Sequence, residues 1–300
     1  MFFSCAVLAA QEKQDHAARL EMLTHRICEG RATGTRGNIL SGMWIAEEYA
    51  RIGLGKPDGS YFRVFEAPSG EKGRNIIGIL PGTLSGRYIL VGAHYDHIGT
   101  LGDVLYPGAD SNASGVTSLL SLAGRLAGSG RHFAHGVIFV AFDAKEHGMG
   151  GSKEMVRLLR TGALTDPVHG QAITLRNIDF MVNIDQVGGT AEPLASGRKD
   201  YLMMLSDPYR GRRQDLIAAN SAGPKLDISF SYYGSRDFTE VFFRKVADQK
   251  AFLDAGIPSV MFTSGITMYN NKPADTVQVI DYEVLERRIE LMYRYLLRLL

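Results

Sequence analysis

The sequence predicts an α/β fold with a mostly parallel central sheet and helices on both of its faces. Several short β-rich runs are apolar throughout instead of alternating, which is typical of strands covered on both sides, and helical stretches lie between them. With 300 residues, 45% of them hydrophobic, the chain can bury one large core. The predicted strands are Tyr61–Phe65, Asn75–Leu80, Tyr88–Gly92, Gly136–Phe142, Phe180–Ile184 and Ser259–Phe262.

The helices are predicted from apolar residues that recur at helical spacing. Val116–Leu126 and Ser152–Leu159 lie between predicted strands. Two helices open the chain, and their apolar faces consist of Ala17, Leu20, Leu23 and Ile27 and of Met43, Ala46 and Ala50. The last helix has an apolar stripe of Leu285, Ile289, Met292, Leu296 and Leu299, with Arg287, Arg288, Arg294 and Arg298 off the stripe. This pattern favours a terminal helix that packs on its own sheet over one that binds a membrane.

Composition excludes several classes of protein. Lysine and arginine total 33 against 32 aspartates and glutamates, so the net charge of +1 gives no field that attracts nucleic acid or anionic lipid. The only cysteines are Cys5 and Cys28, which excludes a disulfide framework and a thiolate zinc site. No apolar run reaches the roughly 20 residues that span a bilayer. Any metal would therefore be held by histidine and carboxylates.

The first ten residues are predicted to be the remnant of a truncated signal peptide, followed by a single domain over residues 11–300. The segment is apolar and ends in small residues, and the chain then becomes abruptly polar. The protein is accordingly predicted to be exported, to the periplasm or beyond, with lipid attachment at Cys5 as an alternative. A disordered apolar terminus remains the other interpretation of the same residues.

Polar side chains follow successive predicted strand ends. His94 and Asp96 follow the third strand, and Asp110 comes after the next turn. Glu146 follows the fourth strand and Asp185 the fifth. The carboxyl ends of parallel strands meet at one edge of a sheet, where functional groups gather. Imidazole and carboxylate ligands suit Zn²⁺, Co²⁺ or Mn²⁺, and an aspartate shared by two ions holds them about 3.5–4 Å apart.

These motifs resemble the co-catalytic di-zinc exopeptidases of clan MH, a family that includes secreted bacterial aminopeptidases, glutamate carboxypeptidase and the transferrin receptor ectodomain. The resemblance implies a phosphorylase/hydrolase-like fold and an aminopeptidase activity. It also implies that His94 and Asp185 bind one zinc, Glu146 binds the second, Asp110 bridges them and Asp96 orients His94. The matching segments are 34–38, 75–82, 92–97, 108–115, 148–152, 183–185, 256–258 and 272–276.

The sequence departs from the family at the positions that matter most for chemistry. Lys145 stands where the family has the glutamate that acts as general base, and Asn271 (or Asn270, if a residue is inserted) stands where it has a zinc-binding histidine. Ser111 replaces a second aspartate that the family often has beside the bridging one. An ammonium cannot accept a proton, and an amide oxygen is a weak zinc ligand. The expected cofactor is therefore one zinc ion rather than two, or none.

Two explanations of Lys145 remain open. In the first, its ammonium supplies the charge of the second zinc and balances Asp110 and Glu146. In the second, the side chain points into solvent and has no role.

Function is likewise predicted with alternatives. The first is a metallo-aminopeptidase-like homologue whose peptide hydrolysis is weak or lost and which binds a peptide or small-molecule ligand. The second is an active exopeptidase that uses one metal, with Asp143, His147 or a substrate group as substitute base. Single-zinc acyl transfer of the glutaminyl-cyclase type is disfavoured, because it requires the histidine that Asn271 replaces.

Overall fold

The computed structural model describes residues 5–84, 86–190 and 198–300, and its core is an eight-stranded mixed sheet in the order β1-β2-β6-β3-β9-β12-β10-β11. Two small hairpins, β4–β5 and β7–β8, lie outside this sheet. The strands are β1 Phe62–Glu66, β2 Lys72–Leu80, β3 Tyr88–His94, β4 Gly99–Leu101, β5 Val104–Tyr106, β6 Gly136–Phe142, β7 Leu164–Thr165, β8 Ala172–Ile173, β9 Ile178–Ile184, β10 Leu202–Ser206, β11 Ile228–Ser229 and β12 Ser259–Thr263.

Strand direction explains where the site lies. The central strands β6, β3, β9 and β12 are parallel to one another, whereas β1–β2, β2–β6 and β10–β12 pair in antiparallel fashion. The central strands therefore end at the same edge of the sheet. Every residue of β3 and of β6 is buried, as the continuously apolar runs predict. All six predicted strands are confirmed, whereas β10 and β11 of this sheet and the hairpins β4–β5 and β7–β8 were not predicted.

Helices cover both faces of the sheet, as predicted. One face packs against α1, α2, α3 and α8, and the other against α4 and α7. Short 3₁₀ turns occur at 26–31, 57–59, 175–177 and 277–279. The helices are α1 Cys5–Thr24, α2 Arg36–Ile52, α3 Ser114–Gly128, α4 Gly150–Thr161, α5 Arg213–Ser221, α6 Arg236–Arg244, α7 Gln249–Asp254 and α8 Tyr282–Leu299.

The predicted helix faces are correct for α8 and partly wrong for the first two helices. The apolar stripe of α8 is buried throughout. Helix α1 ends at Thr24, so helical spacing does not extend to Ile27, which is 51% exposed. In α2 the buried face runs through Ile45 and Tyr49, while Met43 is 49% exposed. Arg288, predicted to lie off the stripe of α8, is fully buried because its guanidinium binds main-chain carbonyls.

The N-terminal prediction is only partly covered by the structure. Residues 1–4 of the predicted signal remnant lie outside the described residues, and lipid attachment at Cys5 stays a prediction. Among the helices that the structure describes, none combines the length and the apolarity required to cross a membrane.

Candidate active site

His94 and Asp185 meet where two parallel strands end. His94 is the last residue of β3, and Asp185 follows β9. The Nε2 atom of His94 lies 3.4 Å from Oδ1 of Asp185, and both side chains are buried. Burial, the largest influence, and the charge of Lys145 lower the pKa of the imidazole, but Asp185 and Asp96 outweigh them and raise it to about 10. The two side chains therefore form a buried ion pair.

Asp96 connects the histidine to the loop after β6. The main-chain carbonyl of Asp96 lies 3.1 Å from Nδ1 of His94, closer than its carboxylate, whose Oδ1 lies at 3.6 Å. The other carboxylate oxygen accepts the main-chain N–H of Glu146 at 3.0 Å. Asp96 thus orients His94 mainly through its backbone and uses its carboxylate to hold Glu146. Asp96, Glu146 and Asp185 are called the acidic cluster below.

Lys145 points into the acidic cluster and not into solvent. Its Nζ donates a hydrogen bond to Oε1 of Glu146 at 2.9 Å, and its side chain is only 19% exposed. Burial lowers the pKa of the ammonium, but Asp185, Glu146 and Asp96 outweigh burial and raise that pKa. Burial also raises the pKa of Asp185, yet Lys145 and His94 bring it down to about 2. Lys145 is therefore a fixed cation among carboxylates at neutral pH.

Asp110 holds the backbone of the site rather than contacting the acidic cluster. Its Oδ1 accepts hydrogen bonds from the main-chain N–H groups of Gly188 and Gly189 at 2.8 and 3.0 Å, and from the Ser114 hydroxyl at 3.1 Å. In turn, the carboxylate of Asp275 accepts the N–H groups of Asp110 and of the next residue, at 2.8 and 3.0 Å. The expected balance between Lys145 and Asp110 is absent from the contacts of the described residues.

Asn112 is a site residue that the sequence analysis missed. Its Nδ2 donates to the carbonyls of His94 at 3.2 Å and of Ile184 at 2.9 Å, which joins the ends of β3 and β9. Its Oδ1 accepts the N–H groups of Gln186 and Gly115. Asparagine is favoured just before a helix, where its side chain accepts a main-chain N–H of the first turn, and this preference could have identified it.

The two asparagines at the predicted histidine position lie in different surroundings. Asn271 is exposed, with a left-handed φ of 56° in a turn. The side-chain oxygen of Asn270 accepts a hydrogen bond from the amide of Gln186, the residue after Asp185. The structure therefore brings Asn270, and not Asn271, toward the strand ends.

Neither proposed substitute base is placed for proton transfer beside the acidic cluster. The carboxylate of Asp143 is fully buried, and burial and Asp96 raise its pKa to about 6. Its oxygens accept hydrogen bonds from Thr33 Oγ1, Asn38 Nδ2, Tyr95 Oη and the main-chain N–H groups of Arg74 and Ala144. His147 instead turns outward, where its Nδ1 lies 3.5 Å from Glu71 and contacts the Ser69 hydroxyl.

Comparison with known proteins identifies the class. The fold and the strand-end residues together define an exopeptidase-like α/β protein. The sequence profile of peptidase family M28 matches residues 75–296, and the chain therefore belongs to this family.

Its relatives include both annotated sequences and solved structures. The chain is 28% identical over 198 residues to the probable lipoprotein aminopeptidase LpqL of Mycobacterium tuberculosis, covering 65% of this chain and 35% of LpqL. It therefore spans about a third of the length of that relative. LapB from Legionella pneumophila matches with a TM-score of 0.73 at 16% identity, over 96% of this chain and 72% of LapB. The zinc aminopeptidase BSAP from Bacillus subtilis matches with a TM-score of 0.70 at 15% identity, over 96% and 95% of the two chains.

Zinc is the metal that this family and BSAP indicate, and the question is whether the side chains at the strand ends can bind it. Within residues 5–84, 86–190 and 198–300, no three His, Cys, Asp or Glu side chains are grouped so that they could hold a metal ion. An ammonium lies among the carboxylates, and the amide at position 271 faces solvent. The arrangement does not fit a di-zinc centre.

Proposed function

We propose that the protein is an aminopeptidase-like member of family M28 that binds peptides and hydrolyses them weakly or not at all. The observation that carries the proposal is the ammonium of Lys145, which donates a hydrogen bond to Glu146 inside the acidic cluster. A general base must be able to accept a proton from the attacking water, and a protonated lysine cannot. Loss of general-base catalysis alone lowers a rate by about 10²–10⁴-fold.

The contacts of the alternative bases support the same conclusion. Both oxygens of Asp143 accept hydrogen bonds from surrounding groups. Protonation of this carboxylate would therefore disrupt the contacts that hold the loop carrying Lys145. His147 bonds to the β1–β2 turn and not to the acidic cluster. The site retains the carboxylates of Glu146 and Asp185 at the strand ends, and carboxylates are groups that pair with the free ammonium of a peptide N-terminus.

Turnover and binding assays test the proposal together. We expect the protein, supplied with zinc, cobalt or manganese, to hydrolyse aminoacyl-nitroanilides at least about 100-fold more slowly than BSAP under the same conditions. We expect isothermal titration to show binding of short peptides with a free N-terminus, and weaker binding of the same peptides after N-acetylation. Turnover comparable to that of BSAP, or no discrimination between free and acetylated peptides, would contradict the proposal.

One observation favours a second candidate, an active exopeptidase with a single metal. The Nε2 atom of His94 is buried and lacks a hydrogen-bond partner within the described residues, although Asp185 lies beside it. A metal that binds this nitrogen would take the place of the proton that the ion pair with Asp185 holds there. Metal-stimulated turnover in the same assay distinguishes this candidate from the first.

Export belongs to the proposal as well. It is supported by the apolar start of the sequence and by the description of LpqL as a lipoprotein aminopeptidase. Cell fractionation of the native host tests it, and retention of all protein in the cytosol would contradict it.

A further inference from the structure

We infer that the ammonium of Lys145 is the resident counter-ion of the acidic cluster and that it closes the cluster to divalent metal ions. This inference concerns metal binding alone and does not depend on whether the protein binds peptides. Family M28 thus contains, in this chain, a site in which a side-chain cation takes the electrostatic place of an ion.

The ammonium of Lys145 is largely shielded from solvent and is paired with a carboxylate. Lysine side chains are rarely buried unless they are paired, yet Lys145 is only 19% exposed and donates to Glu146 at 2.9 Å. Asp185 and Asp96 are its other acidic neighbours. Glu146 therefore binds the ammonium directly, and Asp185 and Asp96 interact with its charge at longer range.

The backbone on both sides of Lys145 is held by hydrogen bonds to carboxylates. The N–H of Ala144 donates to Asp143 at 2.8 Å, and the N–H of Glu146 donates to Asp96 at 3.0 Å. Ala144 has a left-handed φ of 57°. These bonds hold the backbone of Lys145 next to Asp96 and Glu146, so its side chain starts beside the acidic cluster.

The positive charge of Lys145 opposes the binding of a metal ion. A divalent cation that binds Glu146 would lie close to the ammonium, and two like charges at short range in a partly desolvated site repel each other. Replacing Lys145 by methionine keeps an unbranched side chain but removes this repulsion and leaves Glu146 without its cationic partner, while His94 stays paired with Asp185. The change should therefore convert a metal-excluding cluster into a metal-attracting one.

Zinc affinity of the purified protein, measured by competition with a fluorescent chelator, tests the inference. We expect Lys145→Met to bind zinc at least about tenfold more tightly than the parent protein. Lys145→Arg keeps the cation and should match the parent. Lys153→Met removes an exposed lysine on α4 and serves as the control, with no expected change.

Three results would overturn the inference. These are tight stoichiometric zinc binding by the parent protein, a folded Lys145→Met variant with unchanged zinc affinity, or equal gains in Lys145→Met and Lys153→Met. If Lys145→Met is unfolded without metal, its melting is followed in the presence of zinc. Recovery of a cooperative transition on zinc addition supports the inference, and no recovery contradicts it.

Discussion

The triple variant Lys145→Glu, Ser111→Asp, Asn270→His is expected to hydrolyse aminoacyl-nitroanilides, with zinc present, at least about 100-fold faster than the parent protein. Glutamate at 145 replaces a proton donor with a proton acceptor and removes the cation from the acidic cluster. Histidine at 270, the asparagine that lies toward the strand ends, restores the ligand type that the family resemblance implies. Each change reverses one of the departures that the sequence analysis identifies.

The aspartate at position 111 is the change that the structure adds. From the sequence alone, Lys145→Glu with Asn271→His would be expected to restore activity, because Asp110 was expected to bridge the metals. In the structure, Oδ1 of Asp110 accepts hydrogen bonds from Gly188, Gly189 and Ser114, so only Oδ2, which has no partner among the described residues, is left for a metal, whereas a bridging carboxylate uses both oxygens. A further carboxylate beside it is therefore needed, and we expect the double variant Lys145→Glu, Asn270→His to gain much less activity than the triple variant.

A control with the same change of charge and two contradicting outcomes complete the test. Lys153→Glu makes the same charge change as Lys145→Glu on the exposed face of α4 and should leave turnover at the parental level. If the double variant matches the triple variant, Asp110 supplies the shared carboxylate after all. If the triple variant binds zinc but shows no gain in turnover, the base is not at position 145.

The sequence predicts the central strands well because strands that are buried on both faces consist almost entirely of apolar residues. Strands β3 and β6 are apolar at nearly every position, and burial on both faces is the physical reason. The same logic predicts that His94 and Asp185 meet, since both follow parallel strands. Strand β11, with only two residues at the edge of the sheet, carries too short a pattern to be recognised.

The parts of the site that could not be predicted depend on contacts between distant segments. The role of Asp110 is set by amide groups almost eighty residues further along the chain, at Gly188 and Gly189. Similarly, Arg288 lies at a position that reads as exposed in α8, yet it donates to the carbonyls of Val187 and Tyr201. Hydrogen bonds to main-chain carbonyls leave no mark in the side-chain pattern, so a periodicity argument cannot detect them.

Replacing Arg31 by methionine is expected to destabilise the protein by more than about 4 kcal/mol and to prevent folding at 37 °C if the parent is only marginally stable. Arg31 is completely buried, and burial lowers the pKa of its guanidinium to about 10 although Cys28, Asp275 and Asp96 act to raise it. A guanidinium with this pKa remains charged at neutral pH. The methionine side chain has no N–H groups, so the main-chain carbonyls that bind the guanidinium would lose their hydrogen-bond donors.

The size of the effect follows from what the guanidinium binds. Its nitrogens donate to the carbonyls of Leu23 at 2.6 Å, Tyr95 at 2.7 Å, Pro107 at 2.7 Å and Gly108 at 2.9 Å. One side chain thereby joins the end of α1, the segment after β3 and the loop that leads to Asp110. Each buried carbonyl left without a donor costs about 1–3 kcal/mol, and the uncompensated charges nearby add to this cost.

Chemical unfolding followed by circular dichroism measures the effect, and two further variants isolate its cause. Arg31→Lys keeps the charge, but a single ammonium cannot reach all of these carbonyls, so its destabilisation should be smaller and still clear, about 2 kcal/mol. Arg51→Met removes an arginine that is 63% exposed and pairs with Glu48, and it should change the free energy of unfolding by less than about 1 kcal/mol. An Arg31→Met protein within about 1 kcal/mol of the parent would mean that water replaces the guanidinium at these carbonyls. In that case the strand-end loops are held by Asp275 and Asn112 without help from α1.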